Sequence, residues 1–433
     1  MDRRDFLKAC TLAGVSFAVP FGMNRKEARA ASQFQYTGPL WIMLNANGGW
    51  DPTDLCDPKG DANGVNSYKT ADIENAGNVR YAPHPGFSDF FNKYKPLIIN
   101  GIDLSTNGHE DGNRHTWSGK LPDGNPSLAS LIAATYAPSQ PTSYLSAGGY
   151  DATFGIVGAT RVGNPTVLQN IAYPNQINFP AKADATQTDG ANAKPPEVRT
   201  YQTEATRQRI ELARAERYLA MVKNQRLGSV RRAVTQLYTA GLDDTSLKHV
   251  VDYLPTLSND GVESQIQIAM AAYRAGATIS MSMGYGGFDT HGNHDAVHIP
   301  QLTQLLGYID FLWTEAAAQG VADKVILVVS SEMGRTPRYN SGKGKDHWSI
   351  TSMMAMGPGQ GVPQNKVIGQ TDDGFAAKKI DPGTLQVSEA ADALSITPAH
   401  IHNELRTQAG VLTTLERSFP IYPTPNITGK LFA

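Results

Sequence analysis

Five short apolar runs, spread along a chain of 433 residues and each opening into glycine or polar residues, constrain the fold more than any other feature. They are Pro39 to Ala46, Pro96 to Ile102, Thr278 to Tyr285, Val325 to Ser330 and Thr351 to Met356. None alternates apolar and polar residues cleanly, as a strand with one wet face would. Continuous runs of this length suit strands buried on both faces of a parallel sheet. Between them lie stretches with helical spacing: Glu204 to Ala240, Val262 to Ala275, Gln301 to Gln319 and Ala399 to Gln408. Strands alternating with helices predict a three-layer α/β chain with a mostly parallel central sheet. In such a sheet the loops beyond the carboxyl ends of the strands share one edge, and a ligand site belongs there.

The amino end follows a different logic. M-D-R-R-D-F-L-K is followed by an apolar stretch from Ala9 to Met23, a basic patch with Arg25 and Lys26, and Ala28-Arg29-Ala30. A charged start, a short apolar middle and a small-x-small site predict a removable signal over residues 1–30. Arg3-Arg4 before Phe6-Leu7-Lys8 resembles the twin-arginine consensus, with Asp2 where that consensus carries Ser or Thr. The expectation is a periplasmic or secreted protein whose first partner is the twin-arginine export machinery. The apolar stretch is shorter than the ~20 residues of a membrane span and contains Pro20 and two glycines, so no stable membrane anchor is expected after cleavage.

The leader holds Arg3, Arg4, Lys8, Arg25, Lys26 and Arg29 against Asp2, Asp5 and Glu27, so the mature chain keeps 32 of 38 basic and 37 of 40 acidic residues. That balance of about −5 gives no electrostatic reason to expect nucleic acid or an anionic membrane. Only Cys56 survives cleavage, which excludes an intrachain disulfide and leaves stability to the core. No cysteine cluster, haem motif or G-x-G-x-x-G fingerprint supports a redox carrier. Lys182 to Arg199 has almost no large apolar residue and reads as a linker. The Arg- and Ala-rich segment after it carries Glu204, Glu211 and Glu216, the pattern of a solvated covering helix. One domain over residues 31–433, with a helical insertion at about 182–260, is the simplest partition.

Three polar clusters stand beyond predicted strands. N-G-G-W-D ends at Asp51, which either reaches over the strand end as a ligand or forms the turn before Pro52. G-G-F-D-T-H-G-N-H supplies Asp289, His291 and His294, and three of the ten histidines fall between His291 and His298. Carboxylate and imidazole at this density suit a divalent transition metal such as zinc or manganese, while a helix face accounts for His298. S-S-E-M-G-R supplies Glu332 and Arg335, and G-K-G-K-D-H supplies Lys345, Asp346 and His347. Arg335 or Lys345 can act as a charge clamp on an anionic group.

G-G-F-D-T-H, D-K-V-I-L-V-V-S-S-E-M-G-R-T, G-K-D-H and the ending I-T-P-A-H-I-H-N-E-L-R-T-Q-A-G-V together resemble the exported family called domain of unknown function 1501, within the alkaline phosphatase and sulfatase superfamily. The resemblance implies an alkaline-phosphatase-like three-layer fold and a divalent metal. In sulfatases the strand V-V-F-T-S-D-H-G supplies metal ligands and is similar to V-V-S-S-E-M-G here, with Glu332 in the Asp position and Met333 replacing His. W-S-G-K-L-P is similar to the sulfatase L-T-G-R-Y-P, and the sulfatase spacing back from Ser118 puts His109 in the nucleophile position. No Cys, Ser or Thr stands there, so His109 is a metal ligand, an atypical nucleophile or a remnant. Ser105, Thr106 and Thr116 are the only nearby hydroxyl substitutes.

Two functions follow. In the first, Asp51, Asp289, His291, Glu332, Asp346 and His347 hold one or two metal ions, with Asp346 orienting His347 if it is not itself a ligand. His109 and Arg335 then face the transferring group of a phosphate or sulfate ester in a hydrolase or transferase. In the second, the chain is a noncatalytic exported protein that keeps the fold and binds a glycan or another envelope component.

Overall fold

Strand β1 (Leu40–Ala46) is buried at every position, because both of its faces are covered. Leu40, Ile42 and Leu44 join one apolar core with Phe87, Ile266 and Leu302. Trp41 and Met43 join a second core on the other face with Leu128, Ile132 and Leu405. The first core is roofed by helices Phe87–Tyr94, Gly261–Arg274 and His294–Ala318, the second by helices Leu128–Tyr136 and Pro398–Gln408. These are the three layers that the apolar runs predict. The computed structural model describes residues 36–138, 140, 142–161, 202–228, 230, 231, 234, 238, 246–422, 427 and 430–432. The leader and the linker Lys182 to Arg199 lie outside the described residues.

Before the second large strand comes a small hairpin of β2 (Glu74–Ala76) and β3 (Val79–Tyr81). The main sheet continues with β4 (Leu97–Asp103), β5 (Tyr144–Ala147), β6 (Ala159–Thr160), β7 (Ser280–Tyr285) and β8 (Val325–Ser330). A two-residue ribbon of β9 (Gly334–Arg335) and β10 (His347–Trp348) precedes β11 (Ile350–Met356) and β12 (Val367–Ile368). The order across the sheet is β12-β4-β11-β8-β1-β7-β5-β6. Every pairing is parallel except those of β11, which runs antiparallel to both β4 and β8. The amino end of β11 therefore lies at the edge where its neighbours end. His347 reaches the site edge by preceding a reversed strand, not by following a parallel one.

Helix Gly261–Arg274 begins where Asp260 accepts hydrogen bonds from Val262 N and Glu263 N, a cap contributing roughly 1 kcal/mol. Helix Glu204–Asn224 buries only Tyr218, and its Arg207 pairs with Glu204 and Glu211. It is a solvated helix, ending where Gln225 becomes extended, well short of Ala240. Helix His294–Ala318 starts earlier than Gln301 because Pro300 lies inside it instead of marking its boundary. Among the described residues no helix is long and apolar enough to cross a membrane.

Candidate metal centre and the buried network beneath it

Four side chains from three loops meet at the site edge. Beyond β7, Asp289 and His291 approach until Asp289 Oδ1 lies 3.0 Å from His291 Nε2. His347, on β10, brings its Nε2 to 3.1 Å from the same oxygen and 3.0 Å from His291 Nε2. His109 opens helix His109–Ser118 just after β4, and its Nε2 is 3.6 Å from Asp289 Oδ2. Its ring stands edge-on to that of His347, with centroids 4.6 Å apart.

The far side of each imidazole fixes its tautomer. His291 Nδ1 lies 2.7 Å from the Asp346 carboxylate, His347 Nδ1 2.9 Å from the Asn107 carbonyl, and His109 Nδ1 3.1 Å from Glu332 Oε1. Carbonyl and carboxylate oxygens only accept, so each Nδ1 carries the hydrogen and each neutral ring turns a bare Nε2 lone pair inward. Two imidazole lone pairs and a carboxylate oxygen at 3.0–3.1 Å from one another repel unless a cation lies among them. Metal bonds of about 2.0 Å in a tetrahedron put ligand atoms about 3.3 Å apart. The observed spacings bracket that value, so the residues present fit a transition metal. Burial pushes the Asp289 carboxyl up, yet the Arg335 guanidinium bonded to it wins and holds it at about 2, ready to act as an anion.

Directly beneath lies a second ionic cluster, fully buried. Asp51 Oδ2 accepts from Lys345 Nζ at 2.6 Å and lies 3.3 Å from His294 Nε2. Asp54 Oδ2 is 3.1 Å from the same His294 nitrogen, and its Oδ1 is 3.1 Å from His84 Nε2. Thr53 N and Oγ1 donate to Asp51 Oδ1. Asp51 N donates to His298 Nε2 at 2.8 Å, so His298 carries its hydrogen on Nδ1, which faces Thr290 Oγ1 at 3.1 Å. Burial holds His298 well below the usual imidazole range, and it is neutral. His294 is the opposite case: burial lowers it, but hydrogen bonds to Asp51 and Asp54 prevail and raise it, making it the imidazolium. Two carboxylates, one imidazolium and one ammonium sum to zero charge.

The chain matches the family model described as protein of unknown function (DUF1501) over residues 40–386. The chain belongs to that family. A comparison with curated proteins found no match. Among solved structures, the DUF1501 chain is similar to a sulfatase from Pseudoalteromonas sp., at 10% identity and a TM-score of 0.36, covering 96% of this chain and 73% of that one. It is also similar to a phosphonate monoester hydrolase from Silicibacter pomeroyi, at 10% identity and 0.35, covering 90% and 78%. A lipoteichoic acid synthase from Listeria monocytogenes follows at 8% and 0.37, covering 94% and 78%.

Against the sequence expectations, the DUF1501 chain brings Asp289, His291, His347 and His109 together, with Asp346 and Glu332 behind them on the Nδ1 side. Glu332 is buried, and its two oxygens accept from Gly48 N and Asn45 Nδ2. Asp51 does not join them. It caps the short 3-10 helix Pro52–Asp54, and that turn draws its carboxylate down to Lys345. Arg335, expected to face a transferring group, is fully buried and donates to Gly48 O, Gly49 O, Lys345 O and, at 2.8 Å, Asp289 Oδ1. Lys345, expected as an anion clamp, is buried against Asp51. His298, expected on a helix face, is buried in the same network with His294. Asp54, Thr290 and His84 had no signal beyond their residue type. The i, i+4 spacing of His294 and His298, just before Pro300, was the one clue to the network.

Proposed function

We propose that this protein is an exported metal-dependent hydrolase or transferase acting on phosphate or sulfate esters, with one ion held by His109, Asp289, His291 and His347. One observation carries the reading: lone pairs of imidazole and carboxylate converge while every Nδ1 is anchored outward. Outward anchoring of this kind is how proteins orient metal-ligating histidines. The nitrogen-rich set favours zinc over a hard cation, with manganese second. The ion would supply Lewis acidity to an ester oxygen and to attacking water.

The chain's own groups do the rest. Arg335 holds Asp289 ionised and aimed, Asp346 and the Asn107 carbonyl fix His291 and His347, and Glu332 fixes His109. Because His109 is the first residue of a ten-residue helix, an anion meeting its ring also lies at the positive end of that helix. This supports an anionic ester as substrate. With its Nδ1 hydrogen-bonded to Glu332 and its Nε2 turned toward Asp289, His109 reads as a ligand in preference to a covalent nucleophile.

His109→Ala, assayed for bound metal and for turnover of aryl phosphate and aryl sulfate esters, separates these roles. Loss of metal supports the ligand role, full metal with lost turnover supports a nucleophile, and an unaltered protein removes His109 from the site. Export by the twin-arginine route is part of the same reading. Changing Arg3 and Arg4 to Lys should strand the precursor in the cytoplasm, and an unchanged exported yield would reject that route.

A further inference from the structure

The ligand-bearing loops are woven into the buried cluster residue by residue. Asp289 and His291 face the candidate metal centre, while Thr290 between them turns down to the two network histidines. His347 faces the centre and Asp346 backs His291, while Lys345 before them turns down to Asp51. The loops also bond each other directly: Lys345 N donates to Thr290 O, His294 N to Lys343 O, and Asn293 N to Gly342 O. They touch so closely that a Cβ on Gly344 would lie 1.9 Å from His291 O, and one on Gly48 2.4 Å from Asp289 N. Neither loop can shift without moving the other.

Asp51, Asp54 and His294 on their own have the chemistry of a metal site, with one ligand atom from each within 4.8 Å of the others. The space is already served by a cation of the chain. Lys345 Nζ sits 2.6 Å from Asp51 and 3.3 Å from Thr53 Oγ1, and its Nζ also lies 5.0 Å from the Tyr339 ring centroid. Thr290 Oγ1 completes the pattern. It accepts from Nδ1 of both histidines and directs its own hydrogen toward Phe288 O. Charge is balanced and these donors have acceptors, so a divalent ion would bring unmatched positive charge into a buried site.

We infer that Lys345 is an internal cation occupying the Asp51–Asp54–His294 cluster, and that it positions Asp346 and His347 for a single metal ion bound above. This rests on the proposed metal centre. Lys345 touches neither substrate nor ion; it is a positioning residue that acts through the two residues after it. The chain thus binds one transition metal ion, and the buried cluster binds none.

The test is metal titration of the mature protein after chelator treatment, using zinc for stoichiometry and cobalt(II) for its visible spectrum, on wild type, Lys345→Met and Thr290→Val. Wild type should bind one ion. Lys345→Met should lose roughly 10- to 100-fold in affinity, as perturbed support of metal ligands does, with an altered cobalt spectrum and retained circular dichroism. Thr290→Val keeps all four charges and the side-chain shape, and serves if Lys345→Met does not fold; it should weaken binding in the same direction. Two ions in wild type would overturn the inference, as would wild-type affinity and spectrum in a folded Lys345→Met or Thr290→Val. No ion in wild type would instead reject the metal centre itself.

Discussion

The cluster around Asp289 and the cluster around Asp51 contain nearly the same residue types, stand on the same loops, and differ in what completes them. The upper one gathers acceptors at the surface, where the Arg335 guanidinium meets Asp289 alone and the imidazole Nε2 atoms face no cation of the chain. The lower one gathers the same acceptors in the interior and contains two cations of its own. Burial decides the difference. A buried carboxylate pair must be neutralised when the chain folds, so its counter-charges have to be side chains. An exposed set can stay uncompensated in water until an ion arrives.

The comparison is broken most directly by removing Asp51. Asp51→Ala leaves Lys345 without its carboxylate and His294 with Asp54 alone, and should cost about 3–5 kcal/mol, the usual effect of stripping one partner from a buried pair. Urea unfolding of the metal-free protein reads this, and a loss below about 1 kcal/mol would mean the network is not ionic. The pH dependence has a defined sign. Burial raises the Asp51 carboxyl, but Lys345 and His294 bring it to about 2, below its ordinary 3.8. Its stabilisation is therefore present above about pH 4 and lost as pH falls toward 2. His294 is raised above 6.5, so its contribution is complete below that pH and is lost as pH rises through its folded value. Metal-free protein should be most stable between about pH 4 and 6.5, and Asp51→Asn should flatten the acid limb.

His347→Ala should do the reverse of Asp51→Ala. Unfolding of the metal-free protein should change by less than about 1 kcal/mol, because exposed ionic contacts contribute little, while zinc affinity falls by roughly 100-fold or more. Equal damage to stability and binding would erase the distinction between the clusters. A smaller loss, about tenfold in affinity, is expected for Glu332→Gln, which keeps an oxygen for His109 Nδ1 but loses the charge. The smallest effect belongs to Asp346→Asn. Its oxygen at 2.7 Å from His291 Nδ1 is retained and the group is half exposed, so affinity should fall less than the roughly tenfold of a buried support.

The sequence carried the sheet clearly, because strands buried on both faces leave unbroken apolar runs; the observed β8 has the ends predicted for it. It carried Asp289, His291 and His347 through local density beyond strand ends. It could not separate Asp51 from Asp289, since both follow a Gly-Gly pair and a strand. The separation depends on Pro52, which makes Asp51 the cap of a 3-10 turn and sends its carboxylate inward. Lys345 was illegible for a similar reason. Whether a lysine beside a ligand faces out or in depends on the alternation along β10 and the loop before it, and that register exists only once the loop has packed on Thr290. Pro300 hid the first turns of the helix that stacks His294 on His298, so the helix was expected only from Gln301.

X-ray absorption at the metal edge, on mature protein purified without chelator and loaded with one equivalent of zinc, tests the central claim most directly. The account predicts a single ion whose nearest shell, at about 2 Å, is dominated by imidazole nitrogens with one or more oxygens. His347→Ala should lose part of the imidazole scattering, and Asp51→Asn should keep it. An ion without imidazole neighbours, or a protein that retains no ion while remaining fully folded, would contradict it.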